Sequence, residues 1–227
     1  RISNEWPAER QCKLALENSG HICLSVYSSG GFRQLGNATK PVHVPNDMKG
    51  LKWRTTKSPI EFMLVKNWGA TPTPYDWSQL YSGLQSGVVE GQYVASPWQH
   101  VAKLHEVAKY FTEIGGMWSG NILAMDAKQY NALSSQEKKW LHKAADAYGE
   151  KVNQLDNAWI KNGEDAIKAS VKEWYVPSEA EMSKWRAGAI GAWLDAKGTF
   201  EPEVAKRVLL EQGMDGFVAQ LEKAGAL

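Results

Sequence analysis

One long polar stretch with helical spacing constrains this fold more than any other feature of the sequence. It runs from about Ser135 to Trp174 and is interrupted only by Gly149 and Gly163. A continuous helix of that length does not fit across one small domain, because each residue adds about 1.5 Å. We therefore predict a helix that lies along two lobes or bends at one of the glycines.

The first half of the chain alternates short strand-like runs with helices whose starts are marked. Ser58-Pro59-Ile60-Glu61 is a capping box with proline at the first helical position, and Ser96-Pro97-Trp98-Gln99 repeats the device. Strand candidates accompany these starts at Leu51–Thr55, Thr71–Pro74 and Val88–Val94. Strand, short turn and capped helix in succession predict an α/β fold with a mostly parallel sheet.

The rest of the chain continues this α/β pattern. Apolar spacing and breaks at glycine and proline define the remaining elements. The predicted helices cover about residues 5–18, 179–196 and 201–223, the predicted strands cover His21–Tyr27, Ile122–Met125 and Val171–Val176, and residues 37–50 form a loop.

The composition describes a globular chain and excludes several classes of protein. Its 227 residues are 43% apolar and carry a net charge of +1, so no overall field favours nucleic acid as a partner. Long apolar runs of the kind that span a bilayer do not occur in the sequence. The chain begins at Arg1 without a secretory leader, and we expect that any signal peptide is absent from this chain.

Two cysteines allow two interpretations. Cys12 lies in a helical stretch and Cys23, eleven residues later, in a strand-like one. They form either a disulfide or two small buried apolar side chains, and the sequence favours the second. Their spacing is not that of a metal site.

Motifs of catalysis, metal binding or cofactor binding are not recognisable. The five histidines are scattered, and His100 and His105 are placed on different faces of a helix by their spacing. Gly-rich phosphate loops, nucleophile elbows and Cys–His signatures are also lacking. We therefore predict no catalytic residue, no metal and no cofactor, and ligand binding remains as the function.

Two arginines are candidates for binding an anion. Arg54 lies near the carboxyl end of a predicted strand and just before a capped helix, and Arg33 follows another strand in a Gly-Phe-Arg turn. Ligands of open α/β sheets bind at the carboxyl ends of strands, where helix N-termini converge. A guanidinium can hold a carboxylate through two parallel hydrogen bonds, and pairing with a surface Asp or Glu is the alternative for either arginine.

Several motifs follow one another in the middle of the chain. They are Gly31-Phe32-Arg33, Lys40-Pro41-Val42, PNDMKGLKWR at 45–54, GATPTP at 69–74 and QLYSGLQSGVVEGQ at 79–92. Together with the long helix that follows Leu133-Ser134, this series resembles the solute-binding proteins of TRAP (tripartite ATP-independent periplasmic) transporters. The resemblance covers roughly residues 20–175 in order.

The resemblance implies an α/β, two-lobed periplasmic-binding-protein (type II-like) architecture with a long helix spanning both lobes. It implies that Arg54 forms the salt bridge to the ligand carboxylate and that Arg33 is a second, more variable contact. Relatives often carry Asp-Gly-Gln-Glu-Asn where this chain reads Glu90 to Val94. Gln92 and Tyr93 are therefore candidate contacts, and the Tyr93 ring suits a smaller or flatter ligand.

Two tryptophans complete the site that the resemblance implies. Trp77 and Trp118 are candidate walls of the ligand cleft, and indoles in the core under the sheet are the alternative for each. The same resemblance predicts the lobe boundaries. The N-terminal lobe, truncated here, takes residues 1–27 and 113–134, the long connecting helix takes 135–173, and the C-terminal lobe takes 28–112 and 174–227.

The sequence thus predicts a periplasmic receptor without catalysis, which binds a small-molecule carboxylate and delivers it to the membrane permease subunits of a TRAP transporter. One alternative is a two-lobed sensor or scaffold module that docks to a signalling partner. Another is a hydrolase that uses the carboxylates of Asp76 and Glu90, although the sequence offers no paired base or nucleophile.

Overall fold

The structure, a computed structural model, describes residues 5–227 as a mixed α/β chain. The helices are α1 (Glu5–Ser19), α2 (Pro59–Asn67), α3 (Leu80–Ser86), α4 (Ser96–Val101), α5 (Ala127–Ala132), α6 (Ser135–Lys168), α7 (Glu179–Asp195), α8 (Pro202–Glu211) and α9 (Asp215–Ala224). The strands are β1 (His21–Asn37), β2 (Lys52–Thr55), β3 (Thr71–Pro74), β4 (Gly91–Ala95), β5 (Tyr110–Thr112), β6 (Trp118–Asp126) and β7 (Glu173–Tyr175). Short 3-10 turns cover Pro45–Met48, Trp77–Gln79 and Leu104–Glu106.

Contacts within the chain divide it into two compact units. The first unit comprises the residues up to Arg33 together with Ala95–Trp98 and Gly115–Ala166. The second unit comprises Gln34–Val94, Gln99–Ile114 and Ile167–Leu227. The lobe boundaries that the sequence suggested stay a prediction.

In the first unit, β1 and β6 form an antiparallel ribbon. Their register runs from His21 opposite Asp126 to Phe32 opposite Trp118, with two irregularities on the way. A disulfide joins Cys12 of α1 to Cys23 of β1. The prediction of two buried thiols was therefore wrong, because α1 turns back at Gly20 and lies along the strand that follows it.

Helix α6 is continuous from Ser135 to Lys168, and it ends several residues before the predicted boundary. Its two glycines serve close packing within the first unit. A Cβ at Gly149 would lie 2.2 Å from the Ser25 hydroxyl, and one at Gly163 would lie 2.8 Å from the Pro97 Cα. Residues 135–166 belong to the first unit and 167–168 to the second, so the helix has residues in both.

Polar side chains of α6 hold the bulged part of β1 in the first unit. The buried Asp156 carboxylate accepts hydrogen bonds from the Ser28 hydroxyl at 2.5 Å and from the Gly30 amide at 3.0 Å. Asn153 accepts a third from the Ser28 amide at 3.1 Å. The Asn153 bond and the second Asp156 bond satisfy the backbone amides of Ser28 and Gly30 beside the register shift.

The second unit contains a mixed sheet with strand order β3-β2-β4-β1-β5-β7. The pairs β2–β3, β2–β4 and β5–β7 are parallel, whereas the end of β1 pairs with β5 antiparallel. Helix α2 packs against α7, and the Trp68 indole donates a hydrogen bond to the Trp185 carbonyl at 3.2 Å. The α/β prediction is confirmed, and most of the described strand pairs of this unit are parallel.

Apolar clusters among the described residues contribute to the core of this unit. The first lies under α3 and contains Leu80, Leu84, Val89 and Leu104. The second joins Ala108, Phe111 and Ile167, and the third holds α8 and α9 together around Leu209, Phe217 and Leu221. Within residues 5–227, none of the helices is both long enough and apolar enough to cross a membrane.

Local signals explain where the observed elements agree with the prediction and where they differ. Ser58 caps α2 and Ser178 caps α7 through their side chains, as their sequences indicate. Ser96 does not cap α4 as predicted, because it is the first residue of that helix and its hydroxyl has no hydrogen-bond partner among the described residues. The predicted helix at 201–223 is two helices, since Gly213 adopts a positive φ of 71° between them.

Candidate ligand-binding site

The carboxyl ends of β2, β3 and β4 lie at the same edge of the sheet, because the three strands are parallel neighbours. Arg54 is opposite Thr73 and Thr55 is opposite Pro74 in this register. The chain leaves these strands toward α2, the 3-10 turn at Trp77–Gln79 and α4. Helix starts therefore gather at this edge, which is the usual ligand-binding edge of an open α/β sheet.

Arg54 occupies this edge as a buried cation and is only 5% exposed. Its Nε donates a hydrogen bond to the Tyr75 carbonyl at 3.0 Å. Its Cζ lies 6.0 Å from the centroid of the Trp77 ring, within the range of a cation–π contact. The guanidinium is thus oriented both by a main-chain oxygen and by an aromatic ring.

One short segment supplies both of these contacts. The Tyr75 amide donates to the Thr55 carbonyl at 3.1 Å, so the peptide groups on both sides of Tyr75 are bonded to the end of β2. Trp77 follows two residues later and starts the 3-10 turn, and this residue is 41% exposed. A cation and an accessible aromatic surface therefore lie side by side, which suits a carboxylate attached to a compact body.

Gln92 and Tyr93 are completely buried in the second unit. The Gln92 amide donates to the side chain of Gln99, which in turn donates to the Val94 carbonyl at 2.6 Å. The Tyr93 ring meets the Trp68 ring edge-on at 5.6 Å. Their predicted role as ligand contacts stays a prediction, and the contacts that the structure gives them are with the protein interior.

Arg33 and Trp118 belong to the first unit, on the paired strands β1 and β6. The half-buried Arg33 donates from Nε to the Ser119 hydroxyl at 3.1 Å, and its amide donates to the Met117 carbonyl at 2.8 Å. Trp118 is opposite Phe32 and is partly buried. The structure therefore brings these two predicted site residues together on one ribbon, as it brings Arg54 and Trp77 together on the other unit.

Sequence reasoning missed two groups that orient the arginines. The acceptor for Arg54 is a main-chain carbonyl, which carries no residue-type signal. The acceptor for Arg33 is the hydroxyl of Ser119, and its only signal is the position directly after the Trp118 that the sequence singled out. Neither partner can be found until the strand register is known.

The carboxylates proposed for hydrolysis are placed as follows. Glu90 accepts a hydrogen bond from the Lys52 amide at 2.9 Å at the start of β2, the opposite end of that strand from Arg54. Asp76 precedes the 3-10 turn and makes no capping bond with its side chain. Among the described residues, no three His, Cys, Asp or Glu side chains converge as metal ligands.

The shifted carboxyl pKa values belong to helix caps. Hydrogen bonds from the Ser178 side chain, the Tyr175 hydroxyl and the Ser178 amide lower the pKa of Glu181 to about 2. Hydrogen bonds from the Ser134 side chain and amide lower the pKa of Glu137 in the same way at the start of α6. The common cause is donation to the charged form of the carboxylate.

Comparison with known proteins decides the family. The profile of bacterial extracellular solute-binding proteins, family 7 (DctP), matches residues 2–197. The chain belongs to this family.

One similar protein is TeaA of Halomonas elongata, an ectoine-binding periplasmic protein. The two are 32% identical over 161 residues, which is 71% of this chain and 46% of TeaA. A solved structure of the TeaA protein has a TM-score of 0.76 at 25% identity and covers 95% of this chain and 68% of that chain.

Two further solved structures of TRAP periplasmic solute-binding proteins show the same fold. One, from Shewanella oneidensis with bound succinate, has a TM-score of 0.83 at 19% identity and covers 97% of this chain and 68% of its own. The other, from Sulfitobacter sp. NAS-14.1 with bound β-D-galacturonate, has a TM-score of 0.79 at 21% identity and covers 96% and 67%. The chain spans about half the length of the curated relatives that it matches, 44% and 46% for two of them.

Proposed function

We propose that this family 7 chain is part of an extracytoplasmic receptor that binds a small organic acid and delivers it to the membrane subunits of a TRAP transporter. The observation that carries the proposal is the buried Arg54 at the carboxyl ends of parallel strands, with its guanidinium oriented by the Tyr75 carbonyl and the Trp77 ring. The Cys12–Cys23 disulfide supports a place outside the cytoplasm, where such bonds persist.

The chemistry of the relatives' ligands supports an acid as the solute. Ectoine, succinate and β-D-galacturonate, named for the relatives above, differ in size and shape but each carries a carboxylate. A guanidinium that stays charged at every ordinary pH recognises this common group. In a site with little water, such a charge-assisted bond contributes about 1.5–3 kcal/mol net.

The other residues predicted for the site differ in their exposure, and we therefore propose different roles for them. Trp77 is the second ligand contact that we propose, because its ring is partly exposed beside the cation. Arg33 and Trp118 are proposed as contacts from the first unit, whereas Gln92 and Tyr93, with no exposed surface, are proposed to support the site from behind. We propose no catalytic step, and the function is binding and release.

A screen of matched ligands tests the proposal. The protein is titrated by calorimetry with succinate, D-glucuronate, β-D-galacturonate and ectoine, and succinamide serves as the uncharged counterpart of succinate. We expect at least one acid to bind and the amide not to bind, with a thermal stabilisation of about 2.7 kcal/mol at a hundred times the dissociation constant. Equal binding of succinate and succinamide, or no binding by any acid of a wider organic-acid library, would contradict the proposal.

A further inference from the structure

We propose that Gly83 is a positioning residue for Arg54 and acts through Tyr75. Gly83 and Tyr75 are in contact, and both are far from Arg54 in the sequence. Gly83 itself has no group that could bind a ligand. The proposal deepens the function proposed above, since it concerns the same anchor. Its first test is independent of any ligand.

Gly83 lies in the middle of α3, where it is buried and where glycine is a poor choice for the helix itself. Alanine at an inner helical position is favoured over glycine by about 1 kcal/mol. A Cβ built at Gly83 would lie 2.6 Å from Cε1 of Tyr75, 3.1 Å from its Cζ and 3.3 Å from its Cδ1. The aromatic ring thus fills the volume that any other side chain at position 83 would need.

Both partners of this contact pack against one apolar cluster. Helix α3 is fixed by Leu80 and Leu84, which are 0% and 3% exposed in the apolar cluster beneath it. The partly buried Tyr75 ring packs against the same cluster, so giving way to a methyl group at position 83 costs it these contacts. The expected response is a shift of the tyrosine and of the backbone that carries it.

The backbone at Tyr75 contributes to the orientation of Arg54. Its carbonyl accepts from the Arg54 Nε at 3.0 Å, and its amide donates to the Thr55 carbonyl at 3.1 Å. Trp77, whose ring lies under the guanidinium, continues the same segment. A displaced Tyr75 therefore changes the direction of the guanidinium without touching the arginine, and a bidentate bond to a carboxylate depends on that direction.

Nuclear magnetic resonance of arginine Nε–H groups tests the first step. The sequence has six arginines, so the spectrum is simple and the Arg54 signal is identified by its loss in Arg54→Lys. We expect slow exchange of this proton with water in the wild-type protein and at least tenfold faster exchange in Gly83→Ala. An Arg54 Nε–H signal with unchanged shift and exchange in Gly83→Ala would overturn the proposal.

Two variants separate positioning from a general loss of structure. Tyr75→Met in the Gly83→Ala background replaces the ring by a thin flexible chain that can share the space with a methyl group, and we expect it to restore slow exchange. Gly216→Ala is the matched control, because this residue also lies in a helix but has open space around its Cβ position. A double variant that stays as perturbed as Gly83→Ala would contradict positioning through Tyr75.

Calorimetry with the tightest-binding acid of the four named above tests the consequence for binding. We expect Gly83→Ala to weaken that acid about tenfold, Gly216→Ala to leave its affinity unchanged, and the double variant to recover to within about threefold. Equal affinity of the wild-type protein and Gly83→Ala would overturn the positioning role and leave the receptor function standing. Failure of the wild-type protein to bind any acid would overturn the function, while the exchange measurement still decides the orientation of Arg54.

Discussion

The two units present one predicted arginine each, and they hold it in different ways. In the second unit, Arg54 is almost fully buried and bonded to a main-chain carbonyl beside an aromatic ring. In the first unit, Arg33 is half-buried and bonded to the hydroxyl of Ser119. A main-chain acceptor is set by the strand register and is not removed by substitution of its own side chain, whereas a hydroxyl acceptor is lost in one step. On the function proposed above, we expect Arg54 to be a fixed anchor and Arg33 to be an adjustable contact.

The largest expected effect is the loss of the anchor. Arg54→Ala is expected to weaken carboxylate binding by at least a hundredfold, about 2.8 kcal/mol, because the bond is made by a buried charge. Arg33→Ala is expected to weaken the same acid by about tenfold. Calorimetry with the tightest-binding acid measures both.

Melting curves provide the control for this pair of variants, since a buried arginine also contributes to packing. Arg54→Lys keeps the charge and most of the volume but cannot form two parallel hydrogen bonds to a carboxylate. Its affinity for the acid should therefore lie near that of Arg54→Ala. Equal losses for Arg33→Ala and Arg54→Ala would remove the distinction between the two units.

The disulfide is expected to matter for the first unit and not for the anchor in the second. Replacing Cys12 and Cys23 by serine removes a cross-link that closes a short loop, for which the expected loss in the free energy of unfolding is about 3 kcal/mol. Denaturant unfolding of the oxidised protein and of the double variant measures it. The Arg54 Nε–H exchange rate should be the same in both, and a change there would show that the cross-link acts beyond its own unit.

A smaller effect is expected on the pKa values of the carboxylates that cap helices in the two units. Glu181 receives a hydrogen bond from the Tyr175 hydroxyl in addition to its Ser178 cap, whereas Glu137 is lowered by its Ser134 cap alone. Tyr175→Phe is therefore expected to raise the pKa of Glu181 from about 2 toward its ordinary value of 4.5 and to leave Glu137 unchanged. Carboxyl carbon titration followed by magnetic resonance measures both groups.

The same shift has a definite sign for stability. Because the pKa of Glu181 is lower in the folded state than in the unfolded one, its stabilising contribution is complete above about pH 4.5 and is lost as the pH falls toward 2. The difference in the free energy of unfolding between the wild-type protein and Tyr175→Phe should thus disappear as the pH approaches 2. A difference between the two proteins that grows below pH 4 would contradict this account.

The sequence predicted the elements that local signals define. The strand that contains Arg54, the capped starts of α2 and α7 and the long α6 follow from spacing and cap residues alone. Ser96 shows the limit, because its motif has the residues of a capping box, yet Gln99 donates to the carbonyls of Gln34 and Val94 instead. Tertiary contacts decided the outcome there, and they are invisible in a local pattern.

The candidate site also contains residues that the sequence predicted and groups that only the tertiary structure shows. Position at a strand end made Arg54 a candidate, and the resemblance to a family added Trp77 beside it. The Tyr75 carbonyl, the Ser119 hydroxyl and the ring volume beside Gly83 depend on how strands pair and helices pack. The prediction for Cys12 and Cys23 was wrong for a related reason. Only the reversal of the chain after α1 shows that the helix and the strand run side by side.

The contact between α3 and the segment after β3 has a consequence for how this protein can change over generations. Positions 75 and 83 share one volume, so bulk gained at one must be given up at the other. Substitutions at these two positions are therefore expected to be coupled. Replacing Tyr75 by a smaller residue would leave room for alanine at position 83 of the helix. On the proposed function, coupled substitutions at positions 75 and 83 would alter the affinity for an acid without replacing a residue that contacts the ligand.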